Sequence, residues 1–357
     1  MQKTVTVKDI ASRMGISMST VNKALTGKSG VSEERRAEVV AVAKEMGYVV
    51  NHVAQSLSRK PIRIGIVIPA DWQHYFASVE RGMQIQLDKL RESNVYGKII
   101  HVNSTETIKE AFDSLYQEPV NIILYCPSLY GLPDDFKEYV SQKNVPVFLV
   151  GNEDSGLESV CTVSVNAGIS GYMAADFLKL MIRENEQVAV FIGSRKMSAH
   201  MDKAEAFLKR AREIGLEPVE MYETFDDSQT VLRCLERMHM QYPDVKGIYV
   251  ATATARPIVD FYNRASGISR PCIIATDVYE GICKDMEDRL VQATIFQNQV
   301  IMGRLAVKMA YQYIVNTSSY SETASEFSAH INVLPQLYLP SNVANVLQDD
   351  GQEYTLE

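Results

Sequence analysis

Long hydrophobic runs are missing from this 357-residue chain. None approaches the roughly 18 uninterrupted apolar residues that a membrane helix requires, so no membrane partner is expected. Cysteine is sparse and scattered. Cys126, Cys161, Cys234, Cys272 and Cys283 form an odd set with no C-x-x-C pair. That argues against a disulfide framework or a zinc module and fits a reducing cytoplasm. The opening stretch, Met1 to Asp9, has no apolar core of the kind a secretory leader carries. Neither G-x-S-x-G nor G-x-G-x-x-G occurs, and Gly27-Lys28-Ser29 fails as a phosphate loop because Asn22 stands where its first glycine should be. Six histidines (His52, His74, His101, His200, His239 and His330) lie too far apart for an H-x-x-x-H metal site. Asp226-Asp227 and Asp349-Asp350 read as solvated surface pairs, and His200 as a surface or ligand-orienting residue. No catalytic constellation, metal or cofactor is therefore expected.

What is present is ordinary for a globular chain, 46% hydrophobic and 22% charged, and long enough for two or three domains. The charge is unevenly placed. The net value is −8, yet residues 1–60 hold 10 Lys+Arg against 5 Asp+Glu, so the head is +5 and the remainder −13. A basic head on an acidic body suggests that the head meets a polyanion.

The head reads as three short helices. Thr6-Val7-Lys8-Asp9 is a capping box, followed by Val7, Ile10, Ala11 and Met14 at helical spacing. Gly15-Ile16-Ser17 breaks that helix and caps a second over about residues 18–25. This one buries Val21, Ala24 and Leu25 and turns Met18, Ser19, Asn22 and Lys23 outward. Ser32 caps a third, with Glu33 and Glu34 in its first turn and Gly47 closing it. Two helices joined by a Gly-containing turn and braced by a third have helix-turn-helix geometry. A small bundle with no nucleic-acid role has the same pattern.

The run Val5-Thr6-Val7-Lys8-Asp9-Ile10-Ala11, then Gly15-Ile16-Ser17-Met18-Ser19-Thr20-Val21, Gly30-Val31-Ser32, Gly47-Tyr48 and Asn51, strongly resembles the head of the LacI–GalR family of bacterial transcription regulators. The resemblance implies base reading by Met18 and Ser19, and contacts to phosphate or base edges by Thr20 and Asn22. Lys23 stands where the family usually has arginine. Lysine can donate to guanine, and methionine can meet a thymine methyl. Thr6, Asn51 and His52 complete the expected DNA-contacting set of the head.

Residues 51–60 link head to body and are too short for a helix stable alone in water. In the family this segment orders on operator DNA and pairs with its dimer twin in the minor groove. The resemblance implies that Ala54 permits the close approach and that Leu57 is the wedge which unstacks a base step. An ordinary linker whose Leu57 packs on the body is the competing reading.

From Ile62 onward apolar strands alternate with amphipathic helices: Ile62–Pro69, Gly97–Val102, Val120–Cys126, Val145–Val150, Val188–Ile192, Gly247–Ala251, Cys272–Ala275 and Val291–Phe296. Runs such as Ile64 to Ile68 suit parallel sheets covered on both faces. The fold class expected is thus a small all-α helix-turn-helix domain followed by α/β, with two doubly wound parallel-sheet lobes. The resemblance extends to the periplasmic-sugar-binding-protein-like body of the family. It implies a helix-turn-helix domain at 1–50, a hinge at 51–60 and a two-lobed effector and dimerisation domain at 61–344. Lobe 1 takes about 61–163 and 294–328, lobe 2 about 164–291 and 330–344, and 345–357 is an acidic tail.

Ligands of doubly wound sheets sit at the carboxyl ends of strands. After the first body strand come Asp71, Trp72, Gln73, Tyr75 and Phe76, where the family shows an Asn-Pro-Phe-Phe-like run; Gln73 takes the amide position and Tyr75 and Phe76 the aromatic ones. Asp277 and Gln297 match a family aspartate and a crossover glutamine that bond ligand hydroxyls. Three positions depart from the family. Lys203 replaces the cleft arginine and lacks its planar fork, Gly151-Asn152 replaces an Asp-Arg pair, and Thr252-Ala253 replaces Asn-Asp. The resemblance implies a cytoplasmic, homodimeric, effector-responsive regulator, a repressor of carbohydrate-use genes. Its expected partners are double-stranded operator DNA and a sugar or sugar derivative. A solute-binding protein without DNA function and a regulator answering a non-sugar metabolite are the alternatives.

Overall fold

The computed structural model describes residues 5–25, 30–46, 60–70, 73–265, 268–319 and 328–348. These fall into two compact units, the larger of which contains nearly all of both sheets and most of their helices.

In the head, α1 (Val7–Met14) opens on the capping box. The Thr6 hydroxyl accepts the Asp9 amide at 3.4 Å and the Asp9 carboxylate accepts the Thr6 amide at 2.8 Å. Gly15, at φ 64°, ends α1 in the left-handed region that only glycine enters cheaply. Ser17 accepts the Thr20 amide at 3.1 Å and starts α2 (Met18–Leu25). The Ser32 hydroxyl accepts the Arg35 amide at 3.3 Å at the start of α3 (Glu33–Glu45). The three helices share a core of Ile10, Ala11, Val21, Ala24, Val39 and Ala43. Arg36 braces the far end of α2 by donating to the Ala24 carbonyl at 3.4 Å. Residues 47–59, including Gly47 and the expected hinge, lie outside the described residues.

The larger unit alternates strand and helix. The first lobe is built from β1 (Ile62–Pro69), α4 (Gln73–Leu90), β2 (Val95–Val102), α5 (Thr105–Tyr116), β3 (Ile122–Tyr125), α6 (Asp134–Ser141), β4 (Val147–Val150) and β5 (Cys161–Val165). The second continues with α7 (Ala167–Met181), β6 (Gln187–Ile192), α8 (Ser198–Glu213), β7 (Glu217–Glu223), α9 (Ser228–Gln241) and β8 (Val245–Val250). After these come α10 (Ala255–Arg264), β9 (Cys272–Thr276), α11 (Glu280–Glu287), β10 (Ala293–Phe296), α12 (Gln299–Ser319), β11 (His330–Val333), β12 (Gln336–Tyr338) and α13 (Ala344–Gln348). One sheet has the order β11-β5-β4-β3-β1-β2 and the other β12-β10-β9-β8-β6-β7.

Pairing is parallel from β1 through β3, β4 and β5 to β11, with Ile66 opposite Leu124 and Val163 opposite Ile331. It is parallel too from β7 through β6, β8 and β9 to β10. The short β12 closes its edge antiparallel, Ile295 facing Leu337. Each of the eight strands expected from the sequence is present, with ends shifted by at most two residues. Two are additional. Residues 161–165 form a strand before the chain crosses over, and Glu217–Glu223 is a half-exposed edge strand whose interleaved charges conceal it. The chain leaves the first lobe after Val165 and returns after Phe296 rather than at 294. It leaves again between Val333 and Gln336 rather than before 330, because β10 pairs in the second sheet and β11 in the first. Among the described residues no helix is long and apolar enough to cross a membrane.

Two close helix contacts set the geometry around the strand ends. A Cβ on Gly171 of α7 would stand 2.2 Å from the Lys203 carbonyl of α8. Cβ atoms on Gly82 of α4 and Gly303 of α12 would each come within 2.0 Å of the other helix's carbonyls. Glycine at these places lets backbone meet backbone and holds α8 against the second lobe.

Candidate functional site

A cavity of about 220 Å³ opens at the carboxyl ends of the strands, lined from both lobes. The first lobe contributes Tyr75 and Phe76, on the first turn of α4 after β1, and Asn152, just after β4. The two rings meet edge to face at 5.1 Å. From the second come Met197, Ala199, His200 and Lys203 at the start of α8, Asp226 after β7, Ala251 to Thr254 after β8, Asp277 after β9 and Gln297 after β10.

Its floor is a polar chain. The Lys203 ammonium, almost wholly buried, donates to the Gln297 Oε1 at 2.7 Å and to the Ala251 carbonyl at 3.2 Å. The Gln297 Nε2 in turn donates to both oxygens of Asp277, at 3.0 and 2.9 Å. Only one orientation of that amide satisfies both neighbours, so Gln297 is fixed by the charges it bridges. The Gln299 amide donates to Asp277 at 2.6 Å. Asp277 itself sits at φ 69° and is anchored through its backbone: its N–H donates to Ile295 and its carbonyl accepts the Thr294 hydroxyl at 2.6 Å. Burial pushes the Lys203 ammonium down to about 8, opposed by the charges of Asp277 and Asp226. Burial pushes the Asp277 carboxyl up, opposed by Lys203 and the two glutamine amides. Lys203 and Asp277 thus each oppose the effect of burial on the other through the amide set between them.

The wall beside this chain carries His200 and Asp226. Ser194 donates its N–H to the Nδ1 of His200 at 3.0 Å, which leaves the other ring nitrogen to carry the hydrogen. Burial, and next the charge of Lys203, hold this imidazole down at about 3, so it is a neutral donor at neutral pH. Asp226 and the preceding Phe225 both adopt left-handed backbone, at φ 55° and 54°. Burial pushes the Asp226 carboxyl up, against the Thr252 hydroxyl and Lys203. This corrects the reading of Asp226-Asp227 as a solvated pair. Asp227 caps α9, accepting the Thr230 amide at 2.7 Å, while Asp226 lines the cavity. His200 lines the cavity too, which excludes the surface half of its expected reading. Neither has a sequence pattern that marks it, since each depends on a loop conformation.

Of the residues expected to hold the effector, Tyr75, Phe76, Asn152, Lys203, Thr252, Asp277 and Gln297 come together in this one cavity. Asp71 and Trp72 lie outside the described residues. Gln73 begins α4, with nothing described of its side chain. The cavity combines apolar faces, hydroxyls, two amides, a cation, a neutral imidazole and two carboxylates. Such a site suits a small, densely polar molecule with some flat apolar surface.

In the head, Met18, Ser19, Asn22 and Lys23 form one exposed face of α2, with Met18 52% exposed. Thr20 is half-buried, its hydroxyl 2.9 Å from that of Ser17. The Thr6 hydroxyl donates to the Asp9 carboxylate at 2.6 Å and so serves the helix cap. Asn51, His52, Ala54 and Leu57 lie outside the described residues.

Comparison with known proteins agrees with this two-part organisation. Residues 6–51 match the bacterial regulatory proteins of the lacI family, and residues 64–318 match a periplasmic binding protein domain. The HTH-type transcriptional regulator pepR1 of Lactobacillus delbrueckii subsp. lactis is 27% identical over 230 residues, 62% of this chain and 66% of that protein. Catabolite control protein A of Staphylococcus aureus is 31% identical over 162 residues, 44% of this chain and 47% of its own length. The chain thus spans between about half and two thirds of the curated relatives it matches. Among solved structures, the Lac repressor dimer bound to operator and the anti-inducer ONPF covers 94% of this chain and 98% of its own, with TM-score 0.60 and 19% identity. A solute binding protein from Agrobacterium vitis, bound with alpha-D-tagatopyranose, covers 80% and 98%, with TM-score 0.68 and 15% identity. At these identities the structures speak for the fold. With residues 64–318 matched over more than half its length, the chain belongs to the periplasmic binding protein domain family, and its head carries a match to the lacI-family DNA-binding domain.

Proposed function

We propose that this chain is a sequence-specific, DNA-binding transcription regulator that answers a small sugar-like effector held between its lobes. The observation that carries the reading is the coexistence, in one chain, of an exposed polar face on α2 and a strand-end cavity rich in hydrogen-bonding groups. Met18, Ser19, Asn22 and Lys23 read base edges, Thr20 and Thr6 support the contact with the backbone, and the +5 charge of residues 1–60 supplies the electrostatic attraction. Residues 51–60 form the hinge, where Asn51 and His52 meet DNA and Ala54 and Leu57 serve the paired minor-groove wedge. The working form is a cytoplasmic homodimer, with a repressor of carbohydrate-use genes as the specific role. The chain acts by binding and not by catalysis.

Effector binding alters the head only so far as the effector prefers one lobe arrangement over another. The domain limits that fit this reading are a head at 1–50 and a body from 61 to 344. Gel-shift titration of genomic fragments, followed by footprinting, tests it. The expected result is a two-fold symmetric site of a dimer, with affinity falling steeply as salt rises. An asymmetric footprint, or affinity indifferent to salt, would overturn the reading and favour a stand-alone solute-binding protein.

A further inference from the structure

Among the polar groups of the cavity, one is left over. Lys203 is engaged by Gln297 and the Ala251 carbonyl, Asp277 by three amide donations, and the Nδ1 of His200 by Ser194. The Asp226 Oδ1 is buried and has no hydrogen-bond partner among the described residues. We propose that the effector carries a protonated amino group, seated against Asp226, so that the ligand class is an amino sugar or a similar cationic polyol.

Three features support this assignment. The first is charge. The amide of Gln297 couples Lys203 to Asp277, whereas Asp226 forms no ion pair with Lys203 among the described residues and feels its charge only at a distance. A cation satisfies that carboxylate more fully than a neutral hydroxyl, because a hydrogen bond between ionised groups is the stronger kind. The second is construction. Gly193 leaves the room in which Asp226 and His200 stand side by side: a Cβ there would lie 2.5 Å from the Asp226 Oδ2 and 2.7 Å from the His200 Cε1. Two successive non-glycine residues, Phe225 and Asp226, hold left-handed backbone at that point. Such a conformation is unfavourable for L-residues and persists only where the surroundings impose it. The third is the neutral His200, which adds no positive charge to oppose an incoming ammonium. Burial raises the Asp226 carboxyl, against the Thr252 hydroxyl and the more distant charge of Lys203.

The proposal rests on the cavity being the effector site, and its test separates the two. The purified full chain is titrated by calorimetry at pH 7 with D-glucosamine and D-galactosamine, with D-glucose and D-galactose, and with the neutral N-acetyl derivatives. At least one amine should bind about tenfold or more tightly than both its parent sugar and its N-acetyl form. In Asp226→Asn that ratio should fall to near one. If the variant does not fold, the comparison of amine with N-acetyl form in the native chain decides alone. Parent sugars binding as tightly as amines would overturn the amino-group assignment and leave the effector site standing. So would an amine preference unchanged in a folded Asp226→Asn chain. Binding undiminished in a folded Ala199→Trp chain, whose added ring fills the cavity, would overturn both. A panel in which nothing binds would do the same.

Discussion

His200 stays neutral inside the protein well below the pH at which an exposed imidazole takes up a proton. Its folded value is about 3 against an ordinary 6.5, so between those limits the unfolded chain binds a proton that the folded chain refuses. Stability is therefore present above 6.5 and lost progressively as pH falls toward 3. His200→Gln should flatten the dependence of the thermal midpoint on pH across that window. An unchanged slope would mean that the ring is not buried in neutral form. Gly193→Ala tests the same corner from the backbone side. Its Cβ would meet the Asp226 carboxylate and the His200 ring, both of which would have to shift. A loss of about 1–3 kcal/mol in chemical denaturation is expected. Parental stability would show that the corner has room to spare.

At the scale of elements, the contrast is between contacts that flexible side chains can relax and contacts they cannot. A Cβ on Gly303 of α12 would stand 2.0 Å from the Val79 carbonyl and 2.9 Å from the Met83 amide, both backbone atoms of α4. Neither can swing aside, so the helices must separate. Gly303→Ala should cost about 3 kcal/mol, at the upper end for overpacking, and more than Gly193→Ala. Equal costs would show that the helix pair yields as easily as a side chain does. In the head, Thr6 both accepts from the Asp9 amide and donates to its carboxylate. Thr6→Ala should cost about 1 kcal/mol of head stability, and Thr6→Ser should recover most of it. Circular dichroism melts of the full chain provide the measurement. The Arg13–Glu45 pair spans α1 and α3 at 2.8 Å, but its side chains are 55% and 63% exposed, and it contributes little by comparison.

For the whole molecule the decisive residue is Asp277, because the polar chain on the cavity floor ends there. Asp277→Asn retains the volume but removes the charge that Gln297, Gln299 and Lys203 are arranged around. Operator affinity without effector should stay near that of the parent, and the response to effector should be lost. Paired gel-shift titrations with and without effector measure this. A variant that still responds would show that the charge of Asp277 is dispensable to the switch. The coupling expected here is a difference in free energy between two states of the protein, so a residue that binds effector equally in both would not move it.

Much of this arrangement was legible in the amino-acid sequence, where local pattern and chemistry act together. The capping box at Thr6 and Asp9, the turn at Gly15 and the buried set of the head follow from short-range spacing, as does the run Ile64 to Ile68. Those signals need no partner further along the chain. The strand ends that carry Asp277 and Gln297 were legible for the same reason: an apolar run that stops at a polar residue marks the edge of a sheet. Tertiary structure decided the rest. It brought Asp226 into the cavity through two left-handed residues that no periodicity announces, and it made His200 a half-buried, neutral donor through the Ser194 amide. It also assigned β10 and β11 to opposite sheets, and placed β7 at an edge where a glutamate at every third residue blurs the strand pattern. These outcomes depend on contacts between segments distant in the chain. Such contacts are set when the sheets pack, by burial, close backbone approach and the pairing of polar groups, and the spacing of residues along the chain carries no record of them.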